Sequence, residues 1–108
     1  MPLYETVFIA RQDLTPAQVD DLAKEFASVI TESEGKIVKQ ENWGLKTLAY
    51  RIKKNRKGYY VMFHMDTPAP ALLEMERRMR LNEDVLRYLS VRVDEFIEND
   101  KDSEKEAA

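Results

Sequence analysis

GKIVKQENWGLKTLAYRIKKNRKGYYVMF, residues 35–63, is the stretch whose reading decides the fold. Its first part alternates loosely around Ile37, Val38, Trp43 and Leu48, and residues 59–66 (YYVMFHMD) are rich in β-formers. Two such runs around a short polar segment with a glycine predict a long β-hairpin, with residues 53–58 at its tip. The tip is basic. Between Asn42 and Met65 stand Lys46, Arg51, Lys53, Lys54, Arg56 and Lys57, with no Asp or Glu among them. A field of one sign attracts anions, nucleic acid first among them, whereas the blander reading is a charged turn kept soluble by its lysines.

Working outward, residues 3–10 (LYETVFIA) read as a strand. Thr15-Pro16-Ala17-Gln18 then matches a capping box with proline at the first helical position. Val19, Leu22, Phe26, Val29 and Ile30 follow at helical spacing, and Gly35 is placed to end the helix in a left-handed cap. Beyond the hairpin, Pro68 and Pro70 stop the strand and suit a second helix. Leu72, Met75, Glu76 and Met79 mark its turns, and Arg77, Arg78 and Arg80 lie near its C-terminal end. Residues 85–96 (VLRYLSVRVDEF) predict a final strand. The order β-α-β-β-α-β places the chain in the α+β class: a ferredoxin-like sandwich, with a four-stranded antiparallel sheet and both helices on one face.

In such a sandwich the second sheet face meets water and should be polar. Here Tyr4, Thr6 and Phe8 alternate with Val7 and Ile9, Val61 and Phe63 with Tyr60 and Met62, and Leu89 and Val91 with Tyr88 and Ser90. Whichever set meets the helices, apolar groups remain on the open face, either as scattered surface hydrophobes or as a partner patch. Tyr60, Met62, Leu89 and Val91 are the candidates for that patch.

Composition sets further limits. A chain of 108 residues with 44% hydrophobic content fits one core. No cysteine is present, so there is no disulfide framework, thiolate metal site or cysteine nucleophile. No apolar run reaches membrane-spanning length and the start lacks a signal-peptide pattern, which predicts a cytoplasmic protein without a membrane partner. The net charge of −3 is unevenly spread, because residues 94–108 carry seven acids against Lys101 and Lys105. Residues 1–96 are therefore expected to form one domain, with residues 97–108 a disordered acidic tail.

Single residues carry weaker signals. Trp43 beside Gly44 fits packing at a bulge better than a base-stacking platform. His64 has no second histidine or cysteine with which to share a metal, so it reads as structural. Arg80 and Arg87 could meet RNA, or could pair with the nearby Glu74, Glu76, Glu83 and Asp84. No nucleophile, base and orienting group occur together, which leaves a small ferredoxin-like enzyme or metabolite-binding regulator resting on fold alone. A free-standing RNA-recognition-motif domain is the nearer rival, since KGYYVMF (residues 57–63) looks like its stacking signature with one residue deleted. That deletion sends Tyr59 and Tyr60 to opposite faces.

The run Trp43, Gly44, Lys46, Leu48, Ala49, Tyr50, Arg51, Ile52 and Lys54, followed by Gly58-Tyr59-Tyr60 and by LNEDVLRYL at residues 81–89, resembles the bacterial small-subunit ribosomal protein six family. The likeness extends from Tyr4 to about Val93. It departs at Glu34, where a glycine is frequent, at Lys46, where arginine is common, and at Arg51, where proline is frequent. Lysine at 46 keeps the charge and loses the bidentate fork. The resemblance implies a structural constituent of the small ribosomal subunit that binds the central domain of its ribosomal RNA as a heterodimer with ribosomal protein eighteen. It implies no catalytic residue, cofactor or small-molecule substrate. The basic residues would contact phosphates and the apolar sheet surface would take the protein partner.

Overall fold

The computed structural model describes residues 2–96. Along them run β1 (Leu3–Arg11), α1 (Pro16–Glu32), β2 (Lys36–Ile52), β3 (Asn55–Asp66), α2 (Ala69–Leu81) and β4 (Val85–Val93). The strands pair antiparallel in the order β2-β3-β1-β4, so the sheet has β3 and β1 inside and β2 and β4 at its edges. This is the expected ferredoxin-like sandwich.

Local chemistry accounts for the elements. The Thr15 hydroxyl accepts from the Gln18 backbone N–H at 3.2 Å, while the Thr15 N–H donates to Gln18 Oε1 at 2.9 Å, which satisfies two donors at the start of α1. Val19, Leu22, Ala23, Phe26, Val29 and Ile30 form its buried stripe, and Ala71, Leu72, Met75 and Met79 that of α2. Both stripes pack on the even positions of β1 and the odd positions of β3. Phe8 sits edge-on to Phe26 at 5.3 Å and within 6.0 Å of Phe63. Thr6 is fully buried on the same face and is satisfied by the Ser90 hydroxyl at 2.8 Å.

Three expectations are corrected. Gly35 is not the left-handed cap of α1. The helix ends through a Schellman motif in which Glu34 carries the positive φ of 69°, Gly35 N–H donates to the Ile30 carbonyl at 2.9 Å, and Glu34 N–H donates to that of Thr31 at 3.4 Å. Gly35 is required by space instead, because a Cβ there would lie 2.5 Å from Thr67 Oγ1 and 2.7 Å from Ile30 Cγ2.

The hairpin tip is also shorter than expected. β3 begins at Asn55, and only Lys53 and Lys54 connect the strands, with φ of 50° and 69°, both left-handed as a two-residue type I′ turn requires. Asn55 stabilises the turn by donating to the carbonyls of Ile52 and Lys53, and its Oδ1 accepts from the Gln12 N–H at 3.2 Å, tying the arm to the β1–α1 loop.

Finally, β4 stops at Val93. The chain bends at the exposed acids Asp94 and Glu95, and Phe96 comes to lie flat on His64, with ring centroids 4.3 Å apart. The final strand thus gives way to a bend that lays Phe96 on His64. The acidic tail expected over residues 97–108 lies outside the described residues. No helix among the described residues is long and apolar enough to cross a membrane.

Candidate nucleic-acid and protein interface

The arm of β2 and β3 does not continue flat. Gly58 lets it close onto β1, for a Cβ there would sit 2.4 Å from Ile9 Cγ2 and 3.1 Å from the Ala10 carbonyl oxygen. Gly44, with φ of 81°, occupies a β-bulge that shifts the β2 register. The arm then reaches across to the far edge of the sheet. There the Arg87 guanidinium of β4 donates to the Tyr50 hydroxyl of β2 and lies over its ring, 5.7 Å from the centroid. At the tip, Lys53 meets Arg80 of α2 and Arg87 of β4 around a cleft of about 280 Å³, whose walls include Met79, Val85 and Tyr88.

The fold therefore brings together Lys53, Arg80 and Arg87, three of the cations expected at an RNA surface. Arg51, Lys54, Arg56 and Lys57 are exposed along the same arm. Lys46 is turned to the Trp43 ring, 5.5 Å from its centroid, which holds its ammonium beside an aromatic face.

Ion pairing sorts the arginines. Arg77 forks onto both oxygens of Glu74 at 2.9 Å and Arg78 adds a third bond at 2.9 Å. These bonds, from Arg77 first and then Arg78, pull the Glu74 carboxyl down to about 2. Arg11 donates to Asp84 at 2.7 Å, and its pKa is raised chiefly by that bond. Arg80 and Arg87, in contrast, face tyrosine hydroxyls: Arg80 Nη1 stands 3.5 Å from Tyr88, and Arg87 binds Tyr50. Among the described residues neither they nor Lys53 has an acidic partner. Their charge is free to meet an anion.

The open sheet face carries the second candidate surface. Leu89 is 67% exposed and Val91 45%, both on the edge strand β4. With Val7 and Ile9 of β1, Leu89 lines an apolar hollow of about 450 Å³ bounded by Arg87. The other two candidates are less available. Met62 is only 2% exposed, because it lies on an inner strand between Val7 and Glu41, so it offers no contact surface as the protein stands. Tyr60 is half-buried and stacks with Trp43, ring centroids 6.4 Å apart. Trp43 thus packs beside the bulge, as its sequence context predicts, and its Nε1 donates to Glu41 Oε1 at 2.8 Å. Tyr59 packs on the core and Tyr60 on the opposite face, so the paired stacking aromatics of an RNA-recognition motif are not reproduced. His64 is buried against Glu5 Oε1 at 3.2 Å and is structural. Among the described residues no group of three His, Cys, Asp or Glu could hold a metal.

Two participants were missed by sequence reading. Tyr50 was detectable, since strand alternation puts it on the face of Leu48. Phe96 was not, because nothing in VDEF marks the bend that turns it inward.

The family model for ribosomal protein S6 matches residues 3–92. The small ribosomal subunit protein bS6 of Zymomonas mobilis is 63% identical over 94 residues, covering 87% of this chain and 76% of that protein. The bS6 of Dinoroseobacter shibae is 56% identical over 98 residues, covering 91% and 84%. The crystal structure of 30S ribosomal protein S6 from Thermotoga maritima superposes with a TM-score of 0.79 at 26% identity, over 98% of this chain and 96% of that one.

Proposed function

The chain belongs to the ribosomal protein S6 family, structural and non-enzymatic constituents of the small ribosomal subunit, and on that premise we propose that it binds the central domain of small-subunit ribosomal RNA together with ribosomal protein eighteen. One observation carries the reading. Lys53, Arg80 and Arg87, which among the described residues have no acidic partner, meet at the β4 edge of the sheet, and Arg87 also bounds the open-face hollow that Leu89 lines. An RNA and a protein partner bound there would share an edge at Arg87.

The two surfaces divide the work. The apolar strip supplies burial to a protein partner, because contiguous exposed hydrophobes gain most when water is excluded from them. The cations supply a sequence-independent attraction to phosphate that weakens as salt rises. The net charge of the chain is −3, so binding of RNA by this protein alone is weak, and a strongly basic partner adds phosphate contacts in one rigid unit. Assembly is then cooperative.

The test is reconstitution with a central-domain RNA fragment, with and without ribosomal protein eighteen. Binding should tighten when the partner is present, and Leu89→Ser should weaken the protein pair and, through it, RNA binding. Tight binding by this chain alone, unchanged by the partner, would refute cooperative assembly and favour a self-sufficient RNA binder.

A further inference from the structure

The cleft at the hairpin tip has a geometry that membership of the family does not assign. Its three cations come from three separate elements: Lys53 from the β2–β3 turn, Arg80 from the last turn of α2, and Arg87 from β4. Resting on the RNA-binding reading, we propose that Lys53, Arg80 and Arg87 grip a single phosphate of the RNA backbone jointly, rather than three phosphates in succession.

Several features support one shared ligand. The cleft, about 280 Å³, is small enough that one anion in it would lie within reach of all three side chains that line it. No carboxylate lines it; Asp84 nearby is engaged with Arg11, and Glu83 is exposed outside it. The Arg87 guanidinium is held before any ligand arrives by the Tyr50 hydroxyl and ring, and that of Arg80 stands beside the Tyr88 hydroxyl. Each still has N–H donors to spare, since arginine offers five. The left-handed two-residue turn sets the Lys53 backbone so that its side chain lines the cleft. Met79 and Val85 form an apolar wall, which lowers the local dielectric and strengthens a charge pair there. An anion between the cations would also relieve their mutual repulsion.

The two arrangements differ in how losses combine. Lys53→Gln, Arg80→Gln and Arg87→Gln would be made singly, in pairs and together, with Tyr50→Phe as a control for the closed arm. Affinity for the central-domain RNA with ribosomal protein eighteen would be read at several salt concentrations. A shared phosphate predicts that the triple variant loses no more than about 0.7–0.9 from the slope of log affinity against log salt, little beyond the largest single loss. Fold-losses should then fall well short of the product of the singles. Slope losses that add to about 2–3, with multiplying fold-losses, would overturn the shared grip while leaving RNA binding intact.

A second measurement uses free protein and inorganic phosphate. The side-chain Nε resonances of Arg80 and Arg87 should shift along one isotherm, weakened by Lys53→Gln, and RNA should displace the ion. Shifts in only one arginine, or none, refute the joint site. Phosphate that stays bound alongside RNA would refute its assignment to the RNA backbone. No binding of the central-domain RNA by the wild-type protein together with ribosomal protein eighteen would instead refute the RNA reading itself.

Discussion

Glu34→Gly should stabilise this protein. Glu34 holds the residue after the α1 C-cap with φ of 69°, where an L-residue brings its Cβ close to the following carbonyl at about 1–2 kcal/mol. Glycine removes that strain and adds about 0.5–1 kcal/mol of backbone entropy to the unfolded chain, which leaves a net gain of roughly 0.5–1 kcal/mol. Nothing else is lost, because Glu34 is exposed and the two capping bonds run through backbone N–H groups. Its carboxylate also stands at the negative end of the helix dipole, so Glu34→Ala is the necessary control, removing the charge at unchanged backbone geometry. Urea and thermal unfolding of the three proteins would separate the effects. The glycine variant should melt about 2–8 °C above wild type and clearly above the alanine variant. A glycine variant no more stable than the alanine one would refute the strained Schellman cap.

At the neighbouring position the sign reverses: Gly35→Ala should cost about 1–3 kcal/mol by denaturant unfolding, since Ile30 and Thr67 are both fully buried and cannot yield to a Cβ 2.5–2.8 Å away. A neutral Gly35→Ala would mean that the α1–β2 junction is looser than described. Lys54→Gly should raise stability by roughly 0.5–1 kcal/mol through the same left-handed relief at φ of 69°, while reducing affinity and salt slope for RNA, so the tip would trade stability for charge. Glu74→Gln bears on acid stability. The carboxyl is depressed from 4.5 to about 2, so its pairing stabilises the fold above about 4.5 and is lost as pH falls through about 2. The variant should flatten the acid limb of stability across that window, and a carboxyl titrating near 4.5 by NMR would contradict the Arg77 fork.

Much of this was legible because it is local. The alternation of residues 59–66 and the helical spacing of Val19, Leu22 and Phe26 each answer to a period, and Thr15 to Gln18 to a capping pattern, so element order and most of the core followed. What escaped was geometry without a residue signature. Lys53-Lys54 forms a turn that Asn-Gly usually marks, held by Asn55, which donates to the Ile52 and Lys53 carbonyls and accepts from the Gln12 N–H. The strand alternation that nominated Met62 beside Leu89 was sound in period, and burial then separated an inner-strand residue from an edge one.

The arginines show where reading by spacing reaches its limit. Glu74 stands three and four residues before Arg77 and Arg78 and takes both, as spacing predicts. Glu76 stands four before Arg80, with equal claim by the same rule, yet Arg80 turns toward Tyr88 and the cleft. The difference lies in what arrives from elsewhere: β4 brings Tyr88, and the curled arm brings Lys53 and, through Tyr50, fixes Arg87. Free positive charge is thus a residue of competition among partners, decided by contacts distant in sequence. A basic hairpin can be read from composition, but which of its cations are available to phosphate depends on the fold having closed first.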